Sequence, residues 1–108
     1  EILYKKKPPD LDFLTKLQIN LINKAANLLN KNGIIIYMVC SFFYDETKDI
    51  KNKFLNDNKK FSQYKFKLGL NNKFKNFLDN DGDIFCIPSK HESYMVDGFY
   101  SVKFIKND

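Results

Sequence analysis

The stretch Gly33-Ile34-Ile35-Ile36-Tyr37-Met38-Val39-Cys40-Ser41 constrains the fold of this chain more than any other. A breaker is followed by six apolar residues rich in Ile and Val, a run too short for an ordinary helix. It reads as a strand buried on both faces, as strands in helix-covered parallel sheets are. In such sheets ligands sit outside the carboxyl ends of the strands, and here that end is Cys40. A thiolate is an effective nucleophile, but a free thiol titrates at about 8.5 and must be activated to act as one. A buried structural cysteine fits the same residues, so on these grounds both readings of Cys40 stand.

The flanking patterns place this strand in an α/β fold. Lys5-Lys6-Lys7-Pro8-Pro9 reads as an extended cationic segment that cannot be helical at the prolines. Asp10 suits a helix N-cap, and Asp12 adds negative charge to the first turn. Leu14, Leu17, Leu21, Ala25 and Leu28 then recur at helical spacing, with Ile22 and Leu29 widening the stripe. Asn30 to Gly33 ends that helix, with Gly33 available for a left-handed turn. After an aromatic loop at Phe42 to Tyr44, Asp45-Glu46-Thr47 opens a second helix whose apolar face is Ile50, Phe54 and Leu55, fading at Asn56 to Asn58. Alternation from Tyr64 to Leu70 predicts a half-exposed strand with Lys65 and Lys67 on one face, and residues 71–78 a short helical turn. Asp79 to Asp83 reads as a solvated turn, Ile84 to Ile87 as a buried strand stopped by Pro88, Ser89 to Val96 as a polar loop, and Phe99 to Ile105 as a final strand.

Helix, buried strand, helix and a strand-rich end make half of a doubly wound sheet, in one domain with no linker across residues 1–108. One inner strand alone leaves unpaired backbone groups along an edge. With Glu rather than Met at position 1, this predicts the C-terminal half of a longer domain, its open strand edge covered by the upstream half or by a second copy.

Composition narrows the chemistry. A hydrophobic content of 44%, with 11 Phe and 6 Tyr, is enough for an aromatic core. The net charge of +5 is compatible with a polyanionic partner such as RNA, although the lysines at 5–7, 59–60, 65 and 67 read first as a solvated surface. Two distant cysteines are too few for a disulfide framework and suit a reducing compartment, which predicts a cytoplasmic protein. No apolar run approaches the ~20 residues that span a bilayer, and no signal pattern opens the chain. Cys86, flanked by Phe85 and Ile87, reads as core. The single histidine, His91, and Cys86 are too few for a zinc site, and nothing supports a Cys40/His91 protease pairing. Asp79, Asp81 and Asp83 fail as a calcium loop, since Gly82 falls fourth rather than sixth and Lys90 stands twelfth where an acid is required. No glycine-rich nucleotide-binding turn is present.

Taken in order, several segments resemble a known family. Leu17-Gln18, Asn32-Gly33 with the strand to Cys40-Ser41, Glu46, Phe54-Leu55, Asp97-Gly98-Phe99-Tyr100 and the strand to Lys106 match the S-adenosylmethionine-dependent RNA cytosine methyltransferases of the Sun/Fmu (RsmB) type in order and spacing. The resemblance implies the C-terminal half of a Rossmann-like class I methyltransferase sheet, incomplete on its own, that forms part of the catalytic domain. It implies Cys40 as a nucleophile adding to carbon 6 of a cytosine in small-subunit ribosomal RNA, with carbon 5 then taking the methyl group. Ser41, Asp97, Gly98 and Phe99 would contact or shape the substrate pocket. S-adenosylmethionine is implied as cofactor of the full-length enzyme, and no cofactor is expected to bind this chain alone, which would be inactive. Two departures stand out: Val39 replaces the family's Thr, and Tyr100 its second Phe, the latter reading as a mild change. The alternative from composition alone is a small basic RNA-binding or interaction domain without catalysis.

Overall fold

The helical spacing before Gly33 folds as α1, Pro8–Leu28, in a computed structural model that describes residues 8–41, 43–67, 75–86 and 98–107. The helix starts two residues earlier than its predicted Asp10 cap. Prolines are tolerated there because the first backbone N–H groups of a helix have no intrahelical partner to lose. Of the predicted apolar stripe, only Ile22 is buried, beside Ala26, which the stripe did not include; Ala25 and Leu29 pack against them, whereas Leu17, Leu21 and Leu28 remain exposed. The stripe is thus wider than the surface the described residues provide to cover it.

At the helix end, Asn32 rather than Gly33 takes the left-handed conformation, with φ 70°, a region asparagine tolerates better than most residues. Gly33 is needed for a different reason. A Cβ there would lie 2.9 Å from the Asn30 carbonyl oxygen and 3.1 Å from Leu29. Lys106, from the far end of the sequence, donates from Nζ to the Leu29 carbonyl at 2.7 Å, putting a cation at the negative end of α1.

The apolar run forms β1, Ile34–Val39. It is followed by a 3₁₀ turn at Tyr44–Glu46 and α2, Lys48–Asp57. Three further strands are β2 (Phe61–Gln63), β3 (Ile84–Cys86) and β4 (Phe99–Lys106), with a 3₁₀ turn at Lys75–Phe77 before β3. β2 lies earlier than the predicted Tyr64–Leu70 strand. Phe61, packed on Phe54 at 5.2 Å between ring centres, is the residue that faces the core, and Tyr64 to Lys67 leave the ladder after one further bond, Tyr64 N–H to the Lys103 carbonyl. The remaining residues of that prediction, 68–70, lie outside the described ones, as do residues 71–74 of the predicted 71–78 turn, whose described part holds the 3₁₀ turn at Lys75–Phe77.

β4 is the centre of the sheet. β1 pairs antiparallel along one of its edges, from Ile34↔Ile105 to Val39↔Tyr100. β2 and β3 share the other edge end to end, β2 opposite Phe104 to Lys106 and β3 opposite Phe99 to Ser101. Since β1 and β2 are both antiparallel to β4, they run parallel to each other with β4 between them.

Alternation then sorts the side chains onto two faces. Ile35, Tyr37 and Val39 of β1 share a face with Tyr100, Val102 and Phe104 of β4, and α1 and α2 cover it. The opposite face carries Ile34, Ile36 and Met38, exposed at 44%, 52% and 60%. β1 is therefore buried on one face only. The reading of a strand buried on both faces is corrected within the described residues, because both helices described there lie on the same side of the sheet.

Phe104 sits at the middle of the core, with no exposure and its ring 4.6 Å from that of Phe54. Truncating a buried phenylalanine removes its transfer energy and leaves a cavity. Phe104→Ala is expected to cost about 3–5 kcal/mol, read as a shift of the denaturant midpoint.

Candidate active site

The β1–β4 register brings distant parts of the chain to one end of the sheet. Val39 pairs with Tyr100, and Phe99 pairs with Cys86. The residues just beyond the Val39–Tyr100 pair, Cys40 and Ser41 on β1's side and Phe99 with Gly98 on β4's, therefore meet at the carboxyl end of β1. Cys40 is exposed and Cys86 is buried. Ser41 and Gly98 are buried, and Phe99 is partly so. Asp97 and His91 lie outside the described residues.

The backbone after Cys40 is tied at several points. Ser41 Oγ accepts the Phe43 N–H at 3.1 Å. Thr47 Oγ1 donates to the Phe43 carbonyl at 3.0 Å, so it turns back on the loop instead of capping α2. Tyr37 OH donates to the Glu46 carbonyl at 2.7 Å, and Gln18 Nε2 donates to Glu46 Oε2 at 3.4 Å. Burial, and then the Glu46 charge, pushes the Tyr37 phenol above its ordinary range. Glu46, read from the sequence as one of the acids opening α2, is 1% exposed, so it belongs to the packing beneath the loop.

The aspartate loop departs furthest from its prediction. Asp83 has no exposure at all. Its Oδ2 accepts from Lys48 Nζ at 2.8 Å, Lys51 Nζ at 2.9 Å and Tyr100 OH at 2.7 Å, and its Oδ1 accepts from Gln63 Nε2 at 2.6 Å. Lys48 also bonds Asp79 and Asp81, the latter at 3.0 Å. The turn is shaped by Asp79 Oδ1, which accepts the N–H groups of Asp81 and Asp83, and by Gly82 at φ 88°, where a Cβ would strike the Lys65 side chain at 2.5 Å. A solvated turn is thus replaced by a packed ion network, because two lysines one helical turn apart on α2 face three carboxylates spaced two residues apart.

Lys48, Lys51 and Gln63 had no place in the sequence reading. The Lys-x-x-Lys and Asp-x-Asp-x-Asp spacings were visible, but the partners stand 31–35 residues apart, beyond the reach of local periodicity. The three carboxylates place oxygens within 4.8 Å of one another, as metal ligands would. Here the lysine ammoniums already supply the positive charge that a metal would bring. Gly33 lies at the opposite end of β1, and Gly82 is packed in the aspartate turn.

The network sets a pH window. Burial alone would lower the Lys48 ammonium, but its bonds to Asp79, Asp83 and Asp81 outweigh burial and hold it above its ordinary 10.5. The Lys48 bond, and then the Lys48 and Lys51 charges, hold Asp81 below its ordinary 3.8. A raised lysine contributes fully below 10.5 and its share is lost as pH rises through the folded value. A lowered aspartate contributes fully above 3.8 and its share is lost as pH falls through the folded value. The melting temperature is expected to fall on both sides of that window, and Lys48→Met to weaken both limbs in thermal unfolding across pH. Asp83→Asn leaves the buried Lys51 ammonium and the partly buried Lys48 short of a counter-charge and is expected to cost about 3–5 kcal/mol in the same measurement at neutral pH.

Comparison with known proteins places this sheet. Over 101 residues the chain is 25% identical to the "Probable ribosomal RNA small subunit methyltransferase B" of Bacillus subtilis (strain 168), covering 93% of this chain and 22% of that relative. A solved methyltransferase homolog from Pyrococcus horikoshii superposes with a TM-score of 0.70 at 24% identity over 94% of this chain and 33% of its own. NSun6 from Pyrococcus horikoshii, solved with SFG, gives 0.72 at 18% identity over 96% of this chain and 25% of its own. These likenesses identify the sheet as part of a Rossmann-like methyltransferase fold. The chain thus spans about a fifth of the length of the curated relative it matches. A family model described as 16S rRNA methyltransferase RsmB/F matches residues 1–105, and the chain belongs to that family.

Proposed function

We propose that this chain supplies the cysteine nucleophile of an RNA cytosine-5 methyltransferase acting on small-subunit ribosomal RNA in the cytoplasm. The observation that carries the reading is the exposure of Cys40 at the carboxyl end of β1, beside Gly98 and Phe99, while Cys86 is buried. The relative's name, a small-subunit ribosomal RNA methyltransferase, supports the substrate class.

In this proposal the Cys40 thiolate adds to carbon 6 of the target cytosine, and the electron pair of the 5,6 double bond moves onto the ring, leaving carbon 5 electron-rich. S-adenosylmethionine supplies the methyl group that carbon 5 takes. A base removes the carbon 5 proton, the double bond re-forms, and the thiolate leaves carbon 6. Ser41 holds the loop after the nucleophile through its bond to Phe43 N–H. Asp97, Gly98 and Phe99 shape the pocket for the base. The donor is held by parts of the enzyme other than this chain, which alone is inactive.

Those parts also meet the free edge of β1. Among the described residues no strand pairs there. The groove beside it is lined by Gln18, Leu21, Ala25, Ile36 and Met38, and Gln18 Oε1 is buried without a hydrogen-bond partner. We propose that a strand from outside this chain, from the same protein or from a second copy, completes the edge.

In the full-length protein, Cys40→Ser is expected to lower methyl transfer from labelled S-adenosylmethionine to undermethylated small-subunit ribosomal RNA by at least about 10³-fold, with Cys86→Ser much less affected. The 108-residue chain assayed alone is expected to transfer none. Undiminished turnover in Cys40→Ser would favour an RNA-binding module without cysteine chemistry.

A further inference from the structure

Tyr100 occupies a place where the Sun/Fmu-type pattern has phenylalanine, and its ring alone would fill the space. The ring has no exposure and meets Phe85 edge-on at 5.2 Å and Tyr37 at 6.4 Å between centres. The added hydroxyl is used: it donates to Asp83 Oδ2 at 2.7 Å, deep in the ion network.

This one residue is reached from both ends of the loop that carries Cys40. At the loop's start, Val39 pairs with Tyr100 in the β1–β4 ladder, one position before the cysteine. At its end stands Lys48, whose Nζ lies 2.8 Å from the same Asp83 oxygen, 5.5 Å from the centre of the Tyr100 ring and 5.6 Å from that of Phe85. Tyr44, within the loop, packs on Phe85 at 5.9 Å. Tyr100 also directly follows Phe99, the residue beside Cys40. The circuit Val39–Tyr100–Asp83–Lys48 therefore closes around residues 40–47. Lys51, one turn along α2 from Lys48, and Gln63 of β2 also hold Asp83, so the carboxylate that receives the tyrosine cannot swing away.

We infer that Tyr100, Asp83 and Lys48 are positioning residues, a buried clamp that fixes the Cys40 loop at a set distance from Phe99. The inference rests on the reading of Cys40 as nucleophile. A clamp of this kind leaves RNA binding alone and acts on how often the thiolate stands in line with carbon 6, a geometry to which rates are steeply sensitive.

The test uses the full-length enzyme with undermethylated small-subunit ribosomal RNA and S-adenosylmethionine. Tyr100→Phe and Lys48→Gln are compared with Phe61→Leu, a core change at the opposite end of the sheet that lowers the melting temperature without touching the clamp. Tyr100→Phe and Lys48→Gln are expected to lower kcat by about tenfold or more, with KM for RNA changed less than about twofold, while Phe61→Leu keeps the wild-type kcat. If Tyr100→Phe lowers kcat no more than Phe61→Leu, or if Lys48→Gln leaves kcat intact, the clamp is overturned and the Cys40 reading stands. If the wild-type enzyme turns over equally well as Cys40→Ser, the nucleophile reading falls first and the clamp falls with it.

Discussion

Pairing of β4 on both its edges is the constraint on which the rest of this structure depends. The strand comes last in the chain, yet it joins β1 to β2 and β3, none of which pairs with another. Its inward face supplies Tyr100, Val102 and Phe104, all without exposure, against which both helices pack. Because the pairing with β1 is antiparallel, the start of β4 lies against the end of β1. One register thus builds the core and places Gly98 and Phe99 beside Cys40. A slip of one residue would turn Tyr100 and Phe104 out of the core and separate the cysteine from its neighbours.

Ionic contacts do a different job from the aromatic core. Asp83 is a buried carboxylate that gathers two lysines, a glutamine and a tyrosine from three separate elements. Such a cluster is weak evidence for stability, since desolvation offsets much of its attraction. Its value lies in geometry: it permits one arrangement of α2, β4 and the aspartate turn and penalises the others. Phe54, Phe61 and Phe104 at the far end of the sheet supply apolar burial without that directional demand.

What was legible in the sequence follows the range of each signal. The helical period before Gly33, the apolar run of β1, the buried Cys86 and the final strand are local patterns, and each appears where expected. Element edges were less legible. Prolines read as excluding helix sit in its first turn, and Gly33 read as left-handed leaves that conformation to Asn32. The solvent side of β1 was misread because an apolar run says that both faces can be buried, while only the placement of α1 and α2 on one side says which face is. The Asp79–Asp83 turn was misread because its partners lie on α2, and charge count alone does not say which lysines will reach it. Tyr100 for phenylalanine looked mild until its hydroxyl was seen to meet a buried carboxylate.

The central claim is that the exposed cysteine at the end of β1 attacks the RNA base. It is tested most directly by trapping the full-length enzyme on ribosomal RNA carrying 5-fluorocytosine, where fluorine at carbon 5 blocks the proton loss that releases the thiolate. The adduct is then digested and located by tandem mass spectrometry. The account predicts one cross-linked peptide with the nucleotide on Cys40. An adduct on a peptide lacking Cys40, or normal methylation of cytosine with no adduct formed on the fluorinated RNA, would contradict it.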